Sequence, residues 1–150
     1  MCVTALPFRL GSEALTAQLE QFNARQEVRW FGLFGSFQQP GEALVSFKDS
    51  TSGILGGGGT DAVNGGVIAA GFDGAFVLAG LGHYETNVVV TLELSIKFLD
   101  LAKNPHSLAW SAYIMRTSKR FAFAEARLIN RAEPDARPVA IASAMVAPAF

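Results

Sequence analysis

Between Val63 and Leu81 the chain carries a single ionisable side chain, Asp73. No other stretch restricts the fold as strongly, because a helix that is apolar nearly all round must be covered on most sides. A run of this length could also cross a bilayer. Against that reading, it holds five glycines, an asparagine near its start and a carboxylate near its middle. Charged groups inside a membrane are costly, and the rest of the sequence alternates in the manner of strands. The segment is therefore expected to be a buried central helix, ending at Gly80 or Gly82, with no membrane association.

The second half of the chain supplies what covers such a helix. Val90, Leu92, Leu94, Ile96 and Phe98 alternate with Thr91, Glu93, Ser95 and Lys97, a period of two that predicts a strand with one buried face. Asn104 and Pro105 break the pattern. Strands follow over Ser107 to Arg116 and Arg120 to Asn130, joined by a tight basic turn at Thr117 to Lys119. A further turn at Glu133 to Pro138 leads to a last strand, Val139 to Val146. Upstream, Ser12 is suited to cap a helix running from about Glu13 to Ala24, with Leu15, Leu19 and Phe22 on one stripe. The aromatic-rich stretch Val28 to Phe37 reads as a strand with a glycine bend. Gln39-Pro40-Gly41 is a turn signal, and Glu42 to Lys48 reads as the partner strand, with Ala43, Val45 and Phe47 inward. Ser50 to Asp61 is expected to be a loop, containing the run Gly56 to Gly59. The predicted architecture is α+β: a curved antiparallel sheet of five to six strands wrapped around a long central helix, with an N-terminal helix. At 150 residues, one domain over residues 1–150 can hold the whole arrangement.

Composition removes several function classes. Twelve basic and 13 acidic residues give a net charge of -1, without the basic excess of a general nucleic-acid binder. Cys2 is the only cysteine, so neither an intrachain disulfide nor a cysteine zinc cage is expected. Only His83 and His106 are available as imidazole ligands, and no metal site is expected. No charged segment followed by an apolar run opens the chain. Together with the lone cysteine, this suggests a cytoplasmic protein. The signatures G-x-S-x-G, H-E-x-x-H and the phosphate-binding G-x-x-x-x-G-K-S/T are absent. Gly57, Gly59 and Ala62 loosely match a dinucleotide-binding pattern, but no strand leads into them and no βαβ unit surrounds them.

Two features remain as candidates for chemistry. A carboxylate within an apolar helix is costly to bury without partners, and burial of that kind raises the basicity of a carboxyl group. Asp73 is thus either a reactive group or a structural aspartate bonded to its neighbours. Asn64-Gly65-Gly66 stands where the apolar helix begins. The first N–H groups of a helix lack internal partners and carry partial positive charge. Glycines without Cβ atoms let a ligand carbonyl come close to them. An ordinary Asn cap with a flexible lead-in would look the same. Asn64 and Asp73 are about 13 Å apart along one helix at ~1.5 Å per residue, so one carbonyl cannot touch both in a single chain. A site using both needs the helix start of one subunit and the aspartate of its twofold partner.

The segment Asn64-Gly65-Gly66-Val67-Ile68-Ala69-Ala70-Gly71-Phe72-Asp73 resembles the hotdog-fold acyl-CoA thioesterases, especially the phenylacetic-acid-pathway type. Those proteins show H/N-G-G followed after six residues by an acid. The strand Val89 to Phe98 is similar to the family's first long strand after the helix. The resemblance implies a hotdog fold and hydrolysis of an acyl-CoA thioester to free acid and coenzyme A. It implies Asp73 as general base or as nucleophile, and the N–H of Gly66 from the other subunit as carbonyl polariser. Asn64 would position substrate or water, where many members have His. Thr91 would hold the water, although a plain strand residue would also fit there. Gly65 lies beside the same mouth, and Phe72 and Phe76 are expected to line an apolar acyl pocket. Arg116, Lys119 and Arg120 could meet the phosphates of coenzyme A, or simply form a solvated turn. No cofactor is implied beyond coenzyme A as part of the substrate. The expected assembly is a homodimer or a dimer of dimers. A non-catalytic protein that binds acyl-CoA or an acyl carrier remains an alternative. A hydratase or dehydratase would need a histidine near Asp73, for which His83 is the candidate. Otherwise His83 could favour the helix dipole at the helix end.

Overall fold

The computed structural model describes residues 4–49, 52–56 and 59–150. Its elements are α1 (Ser12–Ala24), α2 (Gln26–Trp30), β1 (Leu33–Gln38), β2 (Glu42–Phe47), α3 (Gly65–Leu81), β3 (Val88–Phe98), β4 (Leu108–Thr117), β5 (Ala122–Asn130) and β6 (Ala140–Ala149), with short 3-10 turns at Ser52–Ile54 and Pro105–Ser107. The strands form one antiparallel six-stranded sheet in the order β1-β2-β4-β5-β6-β3. The sheet curves around α3, and its inward residues meet the helix in one apolar core. Among the described residues, no helix is long and apolar enough to cross a membrane. Gly57 and Gly58, central to the glycine run and to the loose dinucleotide pattern, lie outside the described residues, as does Cys2.

Two expectations for the first third need correction. Ser12 does not cap α1. Gly11 occupies the N-cap position, and the Ser12 carbonyl instead accepts from the Thr16 hydroxyl at 2.9 Å. The stretch read as a strand from Val28 begins as the short helix α2. The chain turns at Gly32, whose φ of +68° is open to glycine. A side chain there would strike the Asp49 carbonyl. Aromatic content favoured a strand, but the turn needed to start the hairpin falls four residues after Val28. β1 therefore starts only at Leu33. β2 behaves as read: Ala43, Val45 and Phe47 are buried and pair with β1 across the Gln39 to Gly41 turn.

Helix α3 is fixed at both ends and along its length. The Asn64 side chain accepts from Gly66 N–H at its start, and Gly82 follows its last turn. Gln18 of α1 donates its amide to the carbonyls of Leu81, Tyr84 and Thr86 at 3.2, 3.3 and 2.7 Å. The first of these is an acceptor that the helix end leaves without an internal donor, and the other two belong to the turn that follows. Midway, Gly71 has no Cβ to keep the Trp110 ring away. Trp110 lies flush on the helix and donates its indole N–H to the Ile68 carbonyl at 3.1 Å. Phe72 and Phe76 are wholly buried and stack with each other at 6.3 Å. They are packed core, not the lining of an open acyl pocket. The sheet covers the face of α3 that carries them.

Strand β3 departs most from its sequence pattern. The alternation predicted one buried face, yet Val90, Leu92 and Phe98 are 40%, 57% and 55% exposed. Two physical causes combine. β3 is an edge strand, paired only with β6. A register shift between Thr91 and Glu93 leaves Leu92 as an extra residue and reverses the parity. Val89 and Thr91 therefore face the helix before the bulge, and Leu94 and Ile96 pack on the core after it.

Candidate functional site

The stripe of α3 that its own sheet leaves open runs along Gly66, Ala69, Ala70 and Asp73. These positions are three or four apart and so share one face of the helix. Every residue on it before Asp73 is Gly or Ala. Asp73 is exposed, which corrects the expectation of a carboxylate buried within one chain. The cause is the edge position of β3: one strand passes beside the stripe, and nothing among the described residues lies beyond it. Thr91 is the inward residue of β3 at this level. Its hydroxyl donates to Asp73 Oδ1 at 2.6 Å. A short bond to an ionised acceptor is a strong one. It restrains the rotation of the exposed carboxylate. Thr91 thus sits beside Asp73, with the bulge at Leu92 following it on the strand.

The other half of the expected site lies at the helix mouth. Gly65 and Gly66 are exposed, and the Gly66 N–H is taken by Asn64 Oδ1 at 2.8 Å. The Ile68 N–H reaches the Asn64 carbonyl at 3.0 Å. A substrate oxygen can therefore use the Gly66 N–H only when the Asn64 carboxamide swings aside. The Gly65 and Val67 N–H groups belong to the same first turn and meet no acceptor among the described residues. The Phe98 ring stands 3.7 Å from where a Gly65 Cβ would be, so the far end of β3 borders this mouth. Asn64 and Asp73 occupy one helix, and the axial separation of about 13 Å holds. The structure brings together Asp73 and Thr91, and separately Asn64, Gly65 and Gly66.

Arg116, Lys119 and Arg120 are exposed around the β4–β5 turn. Thr117, Ala122, Val146 and Thr91 stand in one register across the sheet. The basic turn is thus at the same end of the sheet as Thr91, about 14 Å away over three strand spacings of ~4.8 Å.

His83 belongs to neither group. Ten residues beyond Asp73, it lies roughly 15 Å further along the helix direction. It is 3% exposed under the N-terminal segment, with its ring 5.8 Å from that of Phe8. Neither ring nitrogen has a partner among the described residues. Burial first, and the charge of Arg9 second, push its pKa from 6.5 down to about 4. The neutral ring does not serve the helix dipole, and it is too distant to pair with Asp73 as a hydratase would need. It does couple stability to pH. Between about 4 and 6.5 the unfolded chain binds a proton that the folded chain refuses, so stability declines as pH falls through this window and levels off below it. Allowing for solvent near the ring, the loss should be about 2 kcal/mol. Unfolding free energies from urea titrations of the wild type and of His83→Leu, measured from pH 7 to pH 4, should diverge by that amount. Parallel curves would refute this account.

Sequence reasoning missed the small-residue stripe at Ala69 and Ala70, the bulge at Leu92 and the contrast between the sheet's two edges. The signal for the first was present: the positions three, four and seven before Asp73 hold only Ala, Ala and Gly. The edge contrast was not readable. At β1, Asn23 of α1 bonds both the N–H and the carbonyl of Gly35, at 2.7 and 3.0 Å, and so covers that edge. At β3 the Thr86 hydroxyl, two residues upstream, bonds the N–H and carbonyl of Val88 at 3.2 and 3.3 Å, while Val88, Val90 and Leu92 keep exposed side chains there.

The fold matches that of known proteins. A family model for the thioesterase superfamily fits residues 61–135, half of the chain. The fold is similar to that of the Escherichia coli PaaI protein from the phenylacetic acid degradation operon. In that pair the TM-score is 0.77 and the identity 17%, over 93% of this chain and 96% of that one. A thioesterase family protein from Silicibacter pomeroyi aligns at a TM-score of 0.75 and 17% identity, over 89% and 96% of the two chains. A mutant of a thioesterase enzyme from Staphylococcus aureus aligns at 0.69 and 18%, over 82% and 98%. A search of curated proteins found no match. The fold is the hotdog fold, a curved sheet around a central helix, and the chain belongs to the thioesterase superfamily.

Proposed function

We propose that the chain hydrolyses acyl-CoA thioesters to a free acid and coenzyme A, in a site shared between two copies of itself. The observation that carries this reading is Asp73, held by Thr91 on the one open stripe of an otherwise covered helix. The stripe lies beside a bare edge strand with exposed apolar side chains. Such an edge invites pairing with another strand. If β3 pairs with β3 of a second copy about a twofold axis, the two α3 helices run antiparallel past each other. Gly66 and Asp73 are equidistant from the Ala69–Ala70 pair. An axis there sets Gly66 of each copy opposite Asp73 of the other, and the alanines allow close approach. The partially positive helix mouth then faces the carboxylate across a gap that admits a thioester.

In that gap the first-turn N–H groups polarise the thioester carbonyl. Asp73 either takes a proton from water, whose oxygen attacks the carbonyl carbon, or attacks that carbon itself to give a mixed anhydride that water then cleaves. In both cases the carbon–sulfur bond breaks and the thiolate leaves, taking up a proton. Arg116, Lys119 and Arg120 are suited to the phosphates of coenzyme A. No cofactor is required, because coenzyme A arrives with the substrate.

Release of free thiol from a panel of short-chain, medium-chain and aromatic acyl-CoAs tests the reading. Turnover of at least one, well above the rate in buffer, is expected. Binding without turnover by any member of the panel would leave a carrier or sensor of acyl-CoA in its place.

A further inference from the structure

After its bulge, β3 turns Leu94, Ile96 and Phe98 to the same side, and their partners on β6 are the buried Ala144, Ala142 and Ala140. Leu94 and Ile96 pack on the core. Phe98 continues their row to the level of the helix mouth, and there the cover runs out. It faces inward, yet more than half of its surface is exposed. One edge of its ring points at the start of α3, with Cε1 and Cζ both 3.7 Å from where a Gly65 Cβ would be. The apolar surface goes on beyond it, because Leu99 and Leu101 are also more than half exposed. A contiguous apolar patch of this kind marks a place where a ligand or partner binds. The phenylalanines of α3 itself are closed into the core and cannot meet a substrate.

We propose that Phe98 receives the acyl group of the substrate and selects apolar groups longer than acetyl. The inference rests on the shared site described above. There the helix mouth of one copy faces Asp73 of the other. Phe98 stands beside its own Gly65, so its ring borders the gap in which the thioester carbonyl lies. Two unlike arms leave that carbonyl. The pantetheine arm carries two amides and a hydroxyl, and these lose hydrogen bonds when laid on hydrocarbon. The side chains of Phe98, Leu99 and Leu101 hold no donor or acceptor to replace them. The acyl arm asks for none. Polarity therefore lays the acyl tail on the ring and turns pantetheine the other way. Acetyl ends one carbon past the carbonyl and leaves the ring wet, whereas a tail of several carbons covers it.

The non-hydrolysable thioethers S-octyl-CoA and S-methyl-CoA, titrated calorimetrically into the wild type and Phe98→Ala, test this without turnover. The wild type should bind the octyl compound more tightly. In Phe98→Ala the ratio of the two affinities should fall about tenfold, which corresponds to losing roughly 55 Å² of apolar contact. Phe98→Leu keeps most of that surface and should lose no more than about threefold. Hydrolysis of octanoyl-CoA relative to acetyl-CoA, compared as kcat/KM, should shift in the same sense. A protein that cleaves neither ester would refute the proposed activity, while the binding ratio still decides the role of Phe98. A ratio that stays the same in Phe98→Ala overturns the proposal, and a loss shared equally by both thioethers would put pantetheine on the ring. A wild type with no preference for the octyl compound overturns it as well. So does a smaller assembly for Phe98→Ala in sedimentation, which would assign the ring to the seam between copies.

Discussion

Asp73→Asn should lower kcat for the best acyl-CoA substrate by a factor of about 10² to 10⁴, the range typical of losing a positioned general base. A loss nearer the upper end would fit a nucleophile, which the amide cannot replace. The amide keeps the shape of the side chain and can still accept the Thr91 hydroxyl bond. The change is therefore confined to the lone pair that would act on water or on the carbonyl. Asp73 is exposed, and its partner among the described residues is Thr91, so the melting temperature should barely move; exposed substitutions away from caps and cores stay within about 0.5 kcal/mol. KM should change little, because the group acts on the reacting atoms more than on substrate binding. Thr91→Val should give a smaller fall in the same parameter, since it frees the carboxylate to rotate without removing it. If Asp73→Asn turns over the substrate as fast as the wild type, Asp73 has no catalytic role and the stripe serves association alone.

How far this site could be read in the sequence follows from the range of the forces involved. Asn64 capping α3 and Gly82 ending it were legible, because caps and stops are decided within a few residues. The inward parity of Ala43, Val45 and Phe47 was legible because a hairpin sets its own register. β3 was misread for the opposite reason. Its alternation is real, but the bulge at Leu92 and its place at the sheet edge are settled by pairing with β6, some fifty residues later. The same non-local fact moved Asp73 from the expected interior to an open stripe. Phe72 and Phe76 read as lining of an apolar pocket because they are large apolar side chains on the central helix. The sheet claims the side these rings occupy, and which side that is depends on strand pairings made far along the chain. The contact of Gln18 with three carbonyls around the end of α3 spans more than sixty residues, and no local pattern announces it.

Mixing two inactive variants should restore activity if the site is shared between copies. Gly66→Val places a branched side chain at the helix mouth, where its first atom would meet only Asn64 Oδ1, 3.0 Å away. The chain should fold, and approach to the first-turn N–H groups should be blocked. Asp73→Asn removes the carboxylate and leaves the mouth open. In a hybrid dimer, one site then carries both defects and the other carries none. Random exchange of equal amounts makes half of the dimers hybrids, each with one intact site of two, so activity should return to roughly a quarter of the wild-type value per subunit. A site contained in one chain makes the opposite forecast, because every chain then carries one defect and mixing restores nothing. Leu92→Lys supplies the control. Leu92 is 57% exposed on the bare edge, so the fold should tolerate the lysine, while a charge on an edge strand is a recognised barrier to pairing. Alone, this variant should lose the edge-paired dimer and at least 10²-fold in kcat/KM with the Asp73–Thr91 pair intact, since a composite site needs both helices. Placed in both mixing partners, it should abolish the restored activity. Loss of mass with full activity would mean that one chain carries the whole site, and the facing of helix mouth and carboxylate across a twofold axis would have to be given up.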